Sequence, residues 1–159
     1  MVKAQYGEVG QINLLDIRFC DVDNPNAKNV LETEVELKEV DGRRVMNSKV
    51  NLKTQFDESF NFKVHIENTD GMKFDLAGVL CTDIFDYLPE AWEIISETLK
   101  IGKNCPIPPG EYELNNFHIF SNETGLPFVM YGMLNIQALL YQNEELVSCT
   151  EFDIESLKE

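Results

Sequence analysis

Apolar and polar residues alternate with a period of two through most of the chain. Between positions 60 and 67, for example, Phe60, Phe62, Val64 and Ile66 alternate with polar or charged neighbours. Successive side chains of a β-strand point to opposite faces, so the pattern indicates a strand with one buried and one solvated face. About eight strands are predicted in this way: 11–20, 31–38, 50–56, 60–67, 72–80, 112–120, 130–142 and 146–154. Short strands at this spacing are typical of an all-β sandwich.

Two polar segments predict hairpin turns between strands. Asp41-Gly42 is a typical two-residue turn, and we assign Arg43 and Arg44 to this turn rather than to an anion site. The segment 142–145 predicts a second turn, between the last two strands.

The apolar residues of the segment 82–100 have a different spacing. They recur three and four residues apart, at Ile84, Phe85, Leu88, Trp92, Ile95 and Leu99. This is the spacing of an amphipathic helix, for which Thr82 is a suitable N-cap and Gly102 a suitable stop. Pro89 is expected to divide the segment into a short turn and a longer helix, because proline fits the first helical turn and disrupts the interior. One amphipathic helix among strands predicts a lid at the rim of the sandwich.

Composition sets limits on the class of protein. A chain of 159 residues fits one domain, 1–159, and 43% hydrophobic residues are enough for a core. The formal charge of −15, from 28 acidic and 13 basic residues, speaks against nucleic acid as a partner. Residues 1–5 lack the apolar run of a signal peptide, which indicates either a cytosolic protein or a mature secreted form with an initiator methionine.

The chain has four cysteines, and their spacing argues for disulfides rather than a metal site. No two of them form a CxxC pair, and the two histidines are far apart in sequence, so we expect no metal. Four cysteines allow three connectivities, among which sequence alone does not select. We favour Cys20–Cys149 with Cys81–Cys105 because each pair joins the ends of elements; four reduced thiols are the alternative. The sequon at Asn122 predicts glycosylation and adds to the case for secretion.

Several short motifs occur in a fixed order in the second half of the chain. A cysteine at 81 opens the helical segment, and Cys105-Pro106 is followed by Gly110-Glu111-Tyr112. Leu126-Pro127-Phe128, Tyr131-Gly132 and a cysteine in the last strand complete the series. This layout resembles the ML-type lipid-recognition superfamily, with its ganglioside activator-like and arthropod secreted branches. The chain departs from the ganglioside activator pattern in having four cysteines rather than eight, so presentation of a glycolipid to a hydrolase does not follow from the likeness.

The resemblance implies an immunoglobulin-like β-cup, in which two splayed sheets enclose an apolar cavity. The expected cavity residues are Phe60, Phe62, Val64, Phe74, Leu76, Phe85, Leu88, Trp92, Ile95, Phe128, Met130 and Met133. Trp92 is the only tryptophan, and on the helix it would close the cavity mouth or enter a membrane interface, with ordinary helix-to-sheet packing as the alternative. The same residues would equally suit a solid core.

We therefore predict a carrier of a lipid, sterol, glycolipid, pigment or semiochemical, with a bound apolar ligand and no other cofactor. An enzyme is disfavoured, because the sequence has no Gly-x-Ser-x-Gly elbow, no phosphate loop and no evident acid–base pair. The expected location is extracellular, with a lysosome-like compartment as an alternative and transient membrane contact compatible with either. Two rivals remain: a secreted recognition module with a solid core, and a cytosolic sandwich that shields a lipidated partner. The sequence does not predict the oligomeric state.

Overall fold

The computed structural model describes residues 11–102, 104–119 and 130–157, apart from the side chains of residues 84 and 85. Within these ranges the chain forms eight strands: β1 (Gln11–Phe19), β2 (Leu31–Val40), β3 (Arg43–Leu52), β4 (Phe60–Asn68), β5 (Lys73–Val79), β6 (Gly110–Phe117), β7 (Gly132–Gln142) and β8 (Glu145–Leu157). One sheet has the order β1-β8-β7-β4-β5 and the other β2-β3-β6, and all pairings are antiparallel. The predicted immunoglobulin-like β-sandwich of about eight strands is confirmed.

Two tight turns set the register of the hairpins. Asp41 and Gly42 have φ angles of 53° and 78°, and Asn143 and Glu144 have φ angles of 49° and 69°. Two successive residues with positive φ form the turn whose twist matches paired strands. The two predicted hairpins are confirmed, and β3 begins directly after the first turn, seven positions earlier than the strand predicted over 50–56.

The segment that follows β5 contains two helices, α1 (Leu80–Tyr87) and α2 (Pro89–Leu99). The predicted break at Pro89 is confirmed, since Pro89 occupies the first turn of α2. The predicted short turn before it is an eight-residue helix instead, and this helix begins at Leu80 rather than at Thr82.

Asp83 explains the early start of α1. Its carboxylate accepts a hydrogen bond from the backbone N–H of Val79 at 2.7 Å, which satisfies a donor at the helix N-terminus. The side chain reaches this position across Gly78, where a Cβ atom would lie 2.3 Å from the Asp83 Oδ2. The glycine at the end of β5 thus permits the turn from strand to helix.

The C-terminus of α2 also differs from the prediction. The helix ends at Leu99, and Lys100 adopts the left-handed conformation expected of a helix stop, with φ of 55°. Gly102, the predicted stop, lies two residues beyond. None of the helices in the described ranges is long and apolar enough to cross a membrane.

Two disulfides connect distant parts of the fold. Cys20–Cys149 joins the residue after β1 to β8, and Cys81–Cys105 joins the first turn of α1 to the loop after α2. The Cα–Cα distances are 5.1 and 5.7 Å, which are ordinary values for disulfides. The structure has the favoured connectivity, and two such bonds are typical of proteins from oxidising compartments.

A buried apolar cluster covers the inner face of the larger sheet. Buried side chains fill this region: Ile12, Leu14, Ile66, Met130, Leu134, Ile136, Phe152 and Ile154. A second cluster surrounds Phe60 and includes Leu31, Leu52, Ile107 and Val147, with Trp92 packed against it. Together these two clusters supply most of the apolar core within the described residues.

Candidate functional site

An apolar cavity lies between α2, the inner face of the three-stranded sheet and the loop that follows α2. Its volume is about 230 Å³. The lining residues are Val50, Leu52, Phe56, Leu80, Cys81, Trp92, Ile95, Leu99, Ile101, Cys105, Ile107, Tyr112 and Leu114. No polar atom of this lining is exposed to the cavity.

Two strands supply the floor of the cavity. Val50 and Leu52 are two positions apart on β3 and share its inward face. Tyr112 is paired with Val50 across the β3–β6 ladder and extends the same surface, which Leu114 continues on β6. Along both strands these apolar residues alternate with polar or charged ones, so the apolar side chains share the face that is turned into the sandwich.

One face of α2 supplies the cover. Trp92, Ile95 and Leu99 recur three and four residues apart, so they lie on a single stripe of the helix. The indole is half-buried against the cluster around Phe60. A helix with this stripe turned inward shields the cavity from water.

Covalent and backbone contacts hold the cover in place. The Cys81–Cys105 bridge closes the chain on both sides of the helices, and both of its cysteines line the cavity. Phe56 and Ile107 exchange two backbone hydrogen bonds of 2.9 Å, which attach the loop after α2 to the segment after β3. The Phe56 ring also meets Phe60 edge-on, with 4.5 Å between centroids. These contacts limit how far the cover can move.

The lining of the cavity offers apolar contacts and no hydrogen-bonding group among the described residues. The phenol of Tyr112 donates its hydrogen bond to the carbonyl oxygen of Pro108, so it is engaged outside the cavity. Among the described residues, none that lines the cavity has a charged side chain. Such a site can bind a guest by removing apolar surface from water, at about 25 cal/mol per Å².

The structure brings together two of the twelve predicted cavity residues, Trp92 and Ile95. Phe60, Phe62 and Met130 are buried in the packed core. Val64 and Leu88 are partly buried against that core and do not line the cavity. Aromatic and methionine side chains fill a core as readily as they line a pocket, and most of these residues do the former.

Phe74 and Leu76 lie on β5, the edge strand of the larger sheet. Their register partners Ile66 and Val64 face the core, but Phe74 at the open edge is 38% exposed. Neither residue lines the cavity beneath α2. Phe128 and the sequon at Asn122 lie outside the described residues, as does the side chain of Phe85.

The prediction for Met133 is wrong. Its side chain is 42% exposed, whereas Leu134 and Ile136 on the same strand are buried. Because side chains alternate across a strand, burial of the even positions of β7 places Met133 on the outer face.

Most of the cavity lining was not predicted as a site. Val50, Leu52 and Phe56 belong to an alternating series, and the inward residues of β6 belong to another. Period-two alternation identifies such residues as inward-facing, but it does not show which inward-facing residues line a cavity and which fill the core. No local signal marks the contribution of the loop residues Ile101 and Ile107.

Fold and cavity together define a class: a disulfide-linked immunoglobulin-like β-sandwich with an apolar pocket covered on one side by a helix. No protein-family model matches the chain, and no curated protein matches it in sequence. Among solved structures the chain is similar to chicken MD-1, in a crystal structure of that protein complexed with lipid IVa. The identity is 11% and the TM-score 0.39, over 95% of this chain and 100% of that chain. A likeness this distant transfers neither family membership nor a ligand.

Proposed function

We propose that this protein is a secreted carrier of the ML-type lipid-recognition superfamily, which binds a hydrophobic small molecule in the cavity beneath α2. The observation that carries the proposal is the wholly apolar cavity of about 230 Å³. An apolar cavity of about 150 Å³ stays dry and binds benzene, so a larger one of the same character suits a hydrocarbon guest.

The proposed mechanism is equilibrium transfer without covalent chemistry. A guest leaves a membrane or an aggregate, enters beside α2 and is shielded by Trp92, Ile95 and Leu99. Affinity arises from apolar area removed from water. The helices move as a cover while Cys81–Cys105 limits how far they can open.

Native mass spectrometry of the purified protein provides the first test. We expect a co-purifying apolar mass that is released when the protein is denatured. Thiol titration in denaturant should find no free thiol, as a secreted protein with two bridges requires; four free thiols would point to the cytosolic alternative.

Quenching of Trp92 provides the second test, because bromine quenches indole fluorescence on contact and this is the only tryptophan. Bromobenzene should quench the wild-type protein saturably. Val50→Phe places a phenyl ring in the cavity and should abolish saturable quenching. Val40→Phe makes the same change at an exposed position of β2 and should leave it intact. No co-purifying mass, together with equal quenching in all three proteins, would favour the recognition module with a solid core.

A further inference from the structure

The volume of the cavity limits the size of the guest. About 230 Å³ is more than the ~150 Å³ that accepts one benzene and less than the ~300 Å³ at which sites for drug-sized ligands begin. One hydrocarbon chain or one small ring system fits this space. A lipid with two or more acyl chains does not.

The lining also limits the polarity of the guest. No polar atom of the described lining residues is exposed to the cavity, and the Tyr112 hydroxyl already donates to Pro108. A buried ion without a hydrogen-bonding partner is strongly disfavoured. The part of the guest that lies inside the cavity must therefore be uncharged.

Charges around the cover disfavour an anion at the cavity edge as well. The helix α2 carries Glu90, Glu93 and Glu97 and has no basic residue within its bounds. Its C-terminal carbonyl groups, next to Leu99, add partial negative charge at the same end of the cavity. These groups would repel the carboxylate of a fatty acid.

Two lysines directly follow lining residues and need separate consideration. Lys53, after Leu52, forms an ion pair with Glu32 and is thereby engaged. Lys100, after Leu99, is exposed, and its ammonium group is the cation with which a carboxylate at the cavity edge would pair. Its role is open to a direct test.

Resting on the proposed function, we infer that the natural guest is an uncharged single-chain molecule, such as a medium-chain alcohol, aldehyde, ester or hydrocarbon. Fatty-acid anions and phospholipids with two acyl chains are excluded by charge and by volume respectively. The site is thus one for small neutral apolar molecules rather than for membrane lipids.

A matched pair of probes tests the inference: 8-bromooctan-1-ol and 8-bromooctanoate, which differ only in the head group. Quenching of Trp92 by the alcohol should be saturable at pH 7.5, with a dissociation constant at least tenfold lower than that of the carboxylate. At pH 4.5, close to the ordinary carboxyl pKa of about 4.3, the difference should shrink as the acid becomes neutral. A phospholipid with brominated acyl chains should not quench Trp92 saturably.

Lys100→Gln is measured in parallel, with Lys73→Gln on β5 as the control. We expect neither substitution to change binding of the alcohol or the carboxylate more than twofold. Equal affinity for the two probes at pH 7.5, or a carboxylate affinity that disappears in Lys100→Gln alone, would overturn the inference. Bromobenzene separates the two proposals, because its saturable quenching shows a working cavity whatever the head-group result. If no probe quenches saturably, the carrier function itself fails.

Discussion

Lys100 terminates α2 in a left-handed conformation, with φ of 55°. A Cβ atom makes this conformation costly, by roughly 1–2 kcal/mol, and glycine avoids that cost. We expect Lys100→Gly to raise the free energy of unfolding by about 1 kcal/mol, once the greater freedom of glycine in the unfolded chain is subtracted. For a chain of this size the melting temperature should rise by about 2–4 °C, which calorimetry can measure.

Lys100→Ala is the matched control, because alanine removes the charge and keeps the Cβ. It should leave the melting temperature close to that of the wild type. An equal gain from alanine and glycine would show that the charge of Lys100, and not its backbone conformation, is the cause. The sequence predicts Gly102 as the helix stop because glycine is the usual residue in the left-handed position after a helix. The prediction was wrong because Lys100 occupies that position, despite the conformational cost of its Cβ atom.

At the scale of elements, the Cys81–Cys105 bridge holds the two helices over the cavity. Its cysteines are 24 residues apart, and loop-closure entropy predicts a stabilisation of about 3–4 kcal/mol. The double substitution of both cysteines by alanine should lower the free energy of unfolding by about that amount in denaturant titrations. It should also speed amide exchange in α1 and α2 more than in the sheets, since the cover loses its covalent attachment.

The Cys20–Cys149 bridge supplies the comparison. Its cysteines are 129 residues apart, so the same model predicts a larger contribution of about 5 kcal/mol. It joins β1 to β8, away from the cover, and its removal should leave the relative exchange rates of α1 and α2 unchanged. If loss of either bridge loosens the helices equally, Cys81–Cys105 has no specific role at the cavity.

Elements were easier to predict than the cavity for a physical reason. Alternation along β2 or β4 is local, and it identifies both the strand and its inward face. In the segment 130–134, by contrast, apolar residues follow one another around Gly132, so the sequence does not show which of them face inward. Met133 was misplaced for this reason.

The cavity depends on distances between elements, which no single segment encodes. Phe60 and Trp92 look equally suited to a pocket, yet Phe60 is completely buried in the packed cluster while Trp92 lines open space. Trp92 lies on α2, which contacts β6 of the other sheet, so its surroundings depend on the distance between the helix and the strands. Only the assembled fold determines that separation.

At the scale of the molecule, three carboxyl groups of the described residues have pKa values below their usual range. Arg18 donates a 2.5 Å hydrogen bond to Asp153, Lys53 pairs with Glu32, and Ser59 donates to Asp57. A folded-state pKa below the unfolded value adds stability at pH values above the unfolded pKa, and the gain is lost as pH falls through the folded pKa. These groups should therefore keep their contribution from pH 7 to about 5 and lose it below about 4.

Melting temperatures at pH 7, 5 and 3 test this expectation. Arg18→Gln removes the partner of Asp153 and Glu151, and its melting temperature should fall less between pH 5 and 3 than that of the wild type. The control is Lys38→Gln, at an exposed position of β2. Its melting temperature should fall by the same amount as that of the wild type. A steeper fall in Arg18→Gln would show that the guanidinium does not favour the ionised carboxylates.

The cavity links stability to function across the whole molecule. Cavity-filling substitutions commonly add about 0.5–2 kcal/mol, so Val50→Phe should make the ligand-free protein more stable than the wild type. A guest that binds only the folded state adds about 2.7 kcal/mol at a hundred times its dissociation constant. Bromobenzene should thus raise the melting temperature of the wild type and of Val40→Phe, and leave Val50→Phe unchanged. A solid-core module predicts the opposite order: Val50→Phe would be overpacked and less stable, and bromobenzene would shift none of the three proteins.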